Sequence, residues 1–396
     1  MRRALPILLL SVTVAGAQKA SLAPAGTDAR IAAIERGLKQ TPADVRLRND
    51  LAGAYLQKMR ETADGGYLER ASRIVDGILH LDPSNYDARR RRIEIEMQRH
   101  HFLQVIALAG ELARERPDDA VLFGLLGDAA METGNYDRAA DAYQTMVDLR
   151  PNLASYNRVA FYRFVTGDAE GALDLMRRAI RAGSSEAENV AWCEAELGRM
   201  LLKAGANDAA EAAFRRAVAL FPGYHPALAG LGRVSAARRQ FSEAIRLLLQ
   251  AQAAAPFPEY TGLLAKLYRK TGRPDLADRQ IALLDANDQL DRAAGETANR
   301  NLSLALSDLH HRPQRALELA RAELKIRQDV YTYDALAWAL FQNGEIKEAA
   351  NAMERALAQN SPEPLFHDHA ARIFAALGRN EEANLQREKT RSDYWQ

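Results

Sequence analysis

The sequence predicts an all-α solenoid of about ten helical hairpins, and three phased residue types predict it. Proline recurs at Pro83, Pro117 and Pro151, and again at Pro222 and Pro256, 34 residues apart within each series; the gap between the series is 71, two periods plus three. Twelve residues before these prolines stand Ala71, Val105, Ala139, Ala210 and Ala244, and the column continues through Ala172, Ala277, Ala316, Ala349 and Ala383. Gly134, Gly167, Gly205, Gly272, Gly344 and Gly378 each lie five residues before a column member. Independent residue types sharing one phase mark a repeated unit, which replaces the two or three globular domains that 396 residues would otherwise suggest.

Each unit reads as two helices. After the glycine, apolar residues follow at i, i+4 and i+7 from the column, as in Ala139, Tyr143 and Met146, or Ala349, Met353 and Ala356. Before it another stripe appears, as in Phe123, Leu126 and Ala130, or Tyr333, Leu336 and Leu340. Glycine tolerates the left-handed conformation that ends the first helix, and proline stops the second. Alanine in the column lets the two helices approach closely, where a larger side chain wedges them apart.

A 34-residue period with Leu-Gly, Tyr, Ala, aromatic and Pro in order resembles the tetratricopeptide repeat. The fullest copy lies over 120–151, with Phe123, Leu126, Gly127, Gly134, Tyr136, Ala139, Tyr143 and Pro151 in phase. The resemblance implies a right-handed superhelix whose first helices line a concave groove for extended segments or helices of other proteins. The sequence departs from the pattern in places. The small residue after the first-helix Leu is glycine only at Gly127, Gly198 and Gly232, and the usual first-helix Trp is mostly replaced. Column spacing stretches to 38 between Ala172 and Ala210 and to 39 between Ala277 and Ala316.

Along the chain, Arg2 and Arg3, an apolar run over 5–14 and the small residues Ala15, Gly16 and Ala17 read as a secretory signal peptide over 1–17. A run of that length is about half of what spans a bilayer. An uncleaved inner-membrane anchor is the alternative. A flexible segment over 18–27 follows, then an N-terminal capping helix over 28–41, in which Asp28 caps and Ile31, Ile34 and Leu38 face the array. The array occupies 42–391, with bends or insertions expected near 56–67, 183–190 and 285–296, and ends in a polar last helix and a tail over 392–396.

Composition narrows the function. With 53 Lys+Arg against 52 Asp+Glu the net charge is +1, which gives no footprint for nucleic acid. Cleavage after Ala17 removes two arginines, the only charges in that stretch, and leaves −1. The single Cys193 forbids an internal disulfide framework or a multi-Cys zinc site. It reads as a reactive thiol, an intermolecular bridge or a small buried hydrophobe.

Counting from the glycine phase, the groove-facing positions of successive first helices include Phe161, Arg199, Arg233, Lys266, Trp338 and Arg372. Four of these six are basic, a lane suited to an acidic segment or a carboxylate, or else a solvated face. Asn157 and Arg158 are fragments of the carboxylate clamp that the resemblance implies, whose full set is absent. Tyr331, Asp334, Trp338 and Phe341 fall near one helical face, followed by His369 and Arg372; these read as a binding hot spot or as inter-repeat packing. The run Arg89, Arg90, Arg91 and Arg92 spreads around a whole helix and reads as solvation or an anionic contact.

No phosphate loop, nucleophile elbow or zinc-protease motif occurs, and the histidine pairs His100-His101, His310-His311 and His367/His369 lack a clustered third ligand. Neither catalytic residue, metal nor cofactor is expected. The sequence therefore predicts a non-enzymatic, periplasmic or secreted scaffold that binds other proteins, with no nucleic-acid partner and no stable membrane span once the signal is removed. The alternative is a carbohydrate- or lipid-handling accessory factor of envelope polysaccharide export. Oligomeric state is left open.

Overall fold

A computed structural model describes residues 26–295 and 298–390; the signal-peptide reading of 1–17 lies outside them. Twenty-one helices and no strand occur among the described residues. Helix α1 (Thr27–Gln40) precedes ten antiparallel pairs: α2 (Val45–Thr62) with α3 (Gly66–Leu81), α4 (Tyr86–Gln98) with α5 (Phe102–Glu115), α6 (Ala120–Glu132) with α7 (Tyr136–Leu149), α8 (Leu153–Val165) with α9 (Ala169–Ala182), and α10 (Ala187–Lys203) with α11 (Asn207–Leu220). The series continues with α12 (His225–Ala237) and α13 (Phe241–Ala254), α14 (Pro258–Lys270) and α15 (Pro274–Ala293), α16 (Arg300–Asp308) and α17 (Pro313–Leu324), α18 (Val330–Gln342) and α19 (Ile346–Leu357), and α20 (Pro364–Ala376) and α21 (Asn380–Lys389). The architecture is an α-solenoid. Among the described residues no helix is long and apolar enough to cross a membrane.

The column explains why the pairs close. All ten of its members are fully buried. Four residues on, Tyr143 and Phe214 lie across the first helices, where glycine gives them room: a Cβ on Gly127 would fall 2.3 Å from the Tyr143 ring, and one on Gly230 would fall 2.2 Å from the Phe214 ring. Fully burying a side chain as large as Phe214 contributes about 1.5–3 kcal/mol. The phased glycines take positive φ, and His100 (φ 61°) and Arg239 (φ 59°) take it at the same register without being glycine.

Helix starts follow the prolines. Asp44, Asn85, Asp119 and Asn152 stand one or two residues after Pro42, Pro83, Pro117 and Pro151, and each side chain accepts a backbone N–H of the helix it opens. Such a cap contributes about 1 kcal/mol. Asp28 does not cap α1: it sits inside the first turn, where it pairs with Lys58 at 2.7 Å, while Gly26 is the cap residue. Ile31, Ile34 and Leu38 pack on the first hairpin. The extra residues lengthen helices: α2 runs 18 residues, α10 runs 17 and α15 runs 20, against 13 or 14 in most others.

The solenoid curls until its edges meet. The turn between α6 and α7 packs against the loop before α18: Gln328 N–H donates to the Glu132 carbonyl at 2.8 Å, Val330 N–H donates to the Tyr136 hydroxyl at 3.0 Å, and Arg327 pairs with the Glu132 carboxylate at 2.7 Å. A second contact joins Lys203 of α10 to Glu363 before α20. The first hairpin also reaches inward, where Gln57 donates to Glu188 at 3.2 Å. One hydrophobic cluster accordingly includes residues of α6 to α12 together with residues of α16 to α21.

Candidate functional site

Curling turns the concave face into a lumen. Its central cavity, about 280 Å³, is lined from the C-terminal end of α6 through the first helices of the later hairpins to α20. That volume is near the lower end for ligand pockets. Of the residues singled out from sequence, Phe161, Arg199, Arg233, Lys266, Tyr331 and Asp334 line it.

The other six lie elsewhere. Trp338 is 4% exposed and stacks between Phe341 at 5.2 Å and His369 at 4.1 Å, with its indole N–H on Asp308 at 2.8 Å. His369 Nδ1 meets Asp334 Oδ1 at 2.8 Å, and the Arg372 guanidinium lies 5.7 Å from the Trp338 ring. This stack stands behind the lumenal wall and orients two carboxylates of it, Asp308 and Asp334. Asn157 donates to Cys193 Sγ at 3.7 Å, and Arg158 grips Asp128 with paired hydrogen bonds near 2.9 Å, so both tie neighbouring hairpins together.

The basic lane is internally neutralised. Arg199 pairs with Glu196 at 2.5 Å, Arg233 with Glu259, Lys266 with Asp308 at 2.9 Å, and Arg372 with Asp368 at 3.0 Å. Burial pushes the Glu259 and Asp308 carboxyls up, yet both are held below the usual carboxylate range, Glu259 by the Arg233 and Arg199 guanidiniums and Asp308 by the Lys266 ammonium. Asp334 moves the other way: burial raises it, and the negative charges of Glu363 and Asp308 add to that against the pull of His369. Glu132 is pushed up to about 7 by burial and by Asp329 beside it.

Sequence reasoning missed Lys203, Glu259 and Glu363 in the lining. The first two were accessible by periodicity. Lys203 lies four residues after Arg199 and Glu259 seven before Lys266, so both share the face of an inward position already identified.

Elsewhere the charge run of α4 is absorbed by pairing: Arg89 with Glu115 at 2.8 Å, Arg90 with Asp119 at 3.0 Å, and Arg91 with Glu94. Three of the histidines each hydrogen-bond one side chain. His101 meets Glu96 at 2.6 Å, His311 meets Asp285 at 3.0 Å and His367 meets Gln386 at 2.7 Å.

Comparison with known proteins agrees with this architecture. No curated protein matches the chain. Among solved structures, the human IFIT1 dimer with PPP-AAAA superposes at a TM-score of 0.54, with 14% identity over 84% of this chain and 78% of that one. The APC/C hetero-tetramer Cut9-Hcn1 superposes at 0.50, with 15% identity over 87% of this chain; the match spans 58% of that chain's length. At these identities the likeness concerns the fold alone. Family models described as tetratricopeptide repeat match residues 95–154, 125–187, 201–267 and 335–386, more than half of the sequence in all. With the buried column and the paired helices, these matches place the chain in the tetratricopeptide-repeat family.

Proposed function

We propose that the protein is a non-enzymatic interaction scaffold that holds a peptide segment of a partner protein in its lumen, in the cell envelope or along a secretory route. Solenoids of this kind use their concave surface for binding. The observation that carries the reading is convergence: Phe161, Arg199, Arg233, Lys266 and Tyr331 come from five different hairpins and line one cavity. Its modest volume, about 280 Å³, favours an extended segment over a helix about 10–12 Å across. The envelope location is supported by the residues at 1–17, which have the charge and apolar pattern of an export signal.

Site-specific photo-crosslinking in cells tests it. A benzoylphenylalanine replacing Phe161 should yield a discrete adduct with an envelope protein, and one replacing Leu103, which is 74% exposed on α5, should not. Absence of an adduct at 161, or the same adducts at both positions, would overturn the reading.

A further inference from the structure

The lumenal wall contains a buried acceptor that the fold itself leaves unused. Glu363 stands just before α20 and is 2% exposed. Its Oε2 pairs with the Lys203 ammonium, while Oε1 has no hydrogen-bond partner among the described residues. Buried polar atoms nearly always find partners, because an unmet one has lost its water without compensation. A carboxylate oxygen in that condition at the wall of a cavity marks where a donor from a ligand belongs.

The surroundings set the charge of that donor. Glu363, Asp334 and Asp308 lie close enough that the first and third raise the proton affinity of the second. Their cationic neighbours are Lys203, paired with Glu363, and Lys266, paired with Asp308; the partner of Asp334 is His369. Three carboxylates thus face two ammoniums and one imidazole. The other lumenal cations, Arg199, Arg233 and Arg300, are engaged by Glu196, Glu259 and Asp329. Tyr331 and Phe366 meet edge to face at 5.2 Å in the same wall, and aromatic faces attract cations, as Lys203 at 5.7 Å and Arg300 at 5.6 Å already do over the Tyr331 ring.

Building on the reading of the lumen as a peptide site, we propose that Glu363 Oε1 receives a primary ammonium group of the bound segment, from its amino terminus or from a lysine side chain. A charge-assisted N–H···O bond to a desolvated carboxylate is among the stronger hydrogen bonds a protein makes. Lys203 occupies the other oxygen of the same carboxylate, so it competes with the ligand for that charge.

Calorimetric titration of the full chain with four tripeptides tests this. The probes are Ala-Ala-Ala amide with a free amino terminus, acetyl-Ala-Lys-Ala amide, acetyl-Ala-Ala-Ala amide and acetyl-Ala-Glu-Ala amide. At least one of the first two should bind tenfold or more tightly than the neutral and acidic probes, and which one does identifies the source of the ammonium. Glu363→Gln should weaken that binding at least tenfold, whereas Lys203→Met should tighten it several-fold by freeing the carboxylate. Both variants break the same ion pair, so a merely structural role moves them in the same direction. Equal or absent binding of all four probes, or parallel loss in both variants with helicity intact by circular dichroism, overturns the assignment. A lumenal crosslink at 161 without ammonium preference overturns it while leaving the scaffold reading in place.

Discussion

The Gln328 N–H donates to the Glu132 carbonyl at 2.8 Å, and this bond ties the third hairpin to the ninth. Gly134 makes the approach feasible: it holds φ 72°, and a Cβ there would fall 2.4 Å from the Gln328 carbonyl oxygen. Gly344 holds φ 80° with open space around its Cβ position. Gly344→Ala therefore carries only the left-handed cost, about 1–2 kcal/mol. Gly134→Ala carries that and must also push the seam apart. Thermal melts should show a clearly larger loss for Gly134→Ala, and small-angle scattering should show a larger radius of gyration for that variant alone. Equal losses with unchanged radii would mean the seam does not hold the curl.

Arg239 occupies the register where other hairpins have glycine, at φ 59° and exposed to solvent. A left-handed L-residue costs about 1–2 kcal/mol, and glycine gives back about 0.5–1 kcal/mol through the greater freedom of its unfolded chain. Arg239→Gly should thus stabilise the protein by up to about 1.5 kcal/mol, read as a higher denaturation midpoint with unchanged slope. An unchanged or lower midpoint would show that the arginine is compensated elsewhere.

The repeat was legible because its causes are local. A small buried residue in every hairpin, and a left-handed glycine and a proline in many of them, recur for reasons internal to the hairpin, so the ten-member column is fully buried as its phase implies. The curl was not legible, since Gln328 finds Glu132 through the accumulated rotation of six hairpins, which no single repeat records. The site was read in part for the same reason. Inward positions such as Arg199 and Lys266 follow from helical periodicity, but their charges are answered by Glu196 three residues away and by Asp308 on the next first helix. Counting cations along one face of each helix made the lane look basic, and pairing both within and between helices cancels it.

The column's tolerance for volume is the next expectation. Ala210 is fully buried between α10 and α11, whereas its neighbour Ala209 is exposed on the same helix. Interiors are packed near crystal density, so Ala210→Leu should cost about 1–3 kcal/mol by forcing the pair apart. Ala209→Leu should stay within about 0.5 kcal/mol of wild type. Chemical denaturation of both variants decides this, and comparable midpoints would refute close packing at the column.

Cys193 is fully buried in α10, and burial pushes its thiol up to about 12 from 9.0, outweighing the stabilising hydrogen bond from Asn157. The thiolate is the reactive form. At pH 8 the folded protein should leave Ellman's reagent unreacted, with the single thiol titrating only after denaturant is added; prompt reaction would restore the reactive-thiol reading. The same shift fixes a sign in stability. Because the folded value lies above the unfolded one, the stability it contributes is complete below about pH 9 and is lost as pH rises toward 12. Cys193→Ala lacks this ionisation, so the stability of wild type relative to that variant should fall above pH 9 by at most about 1.4 kcal/mol per pH unit. A difference that stays constant through that range would place the thiol in contact with water.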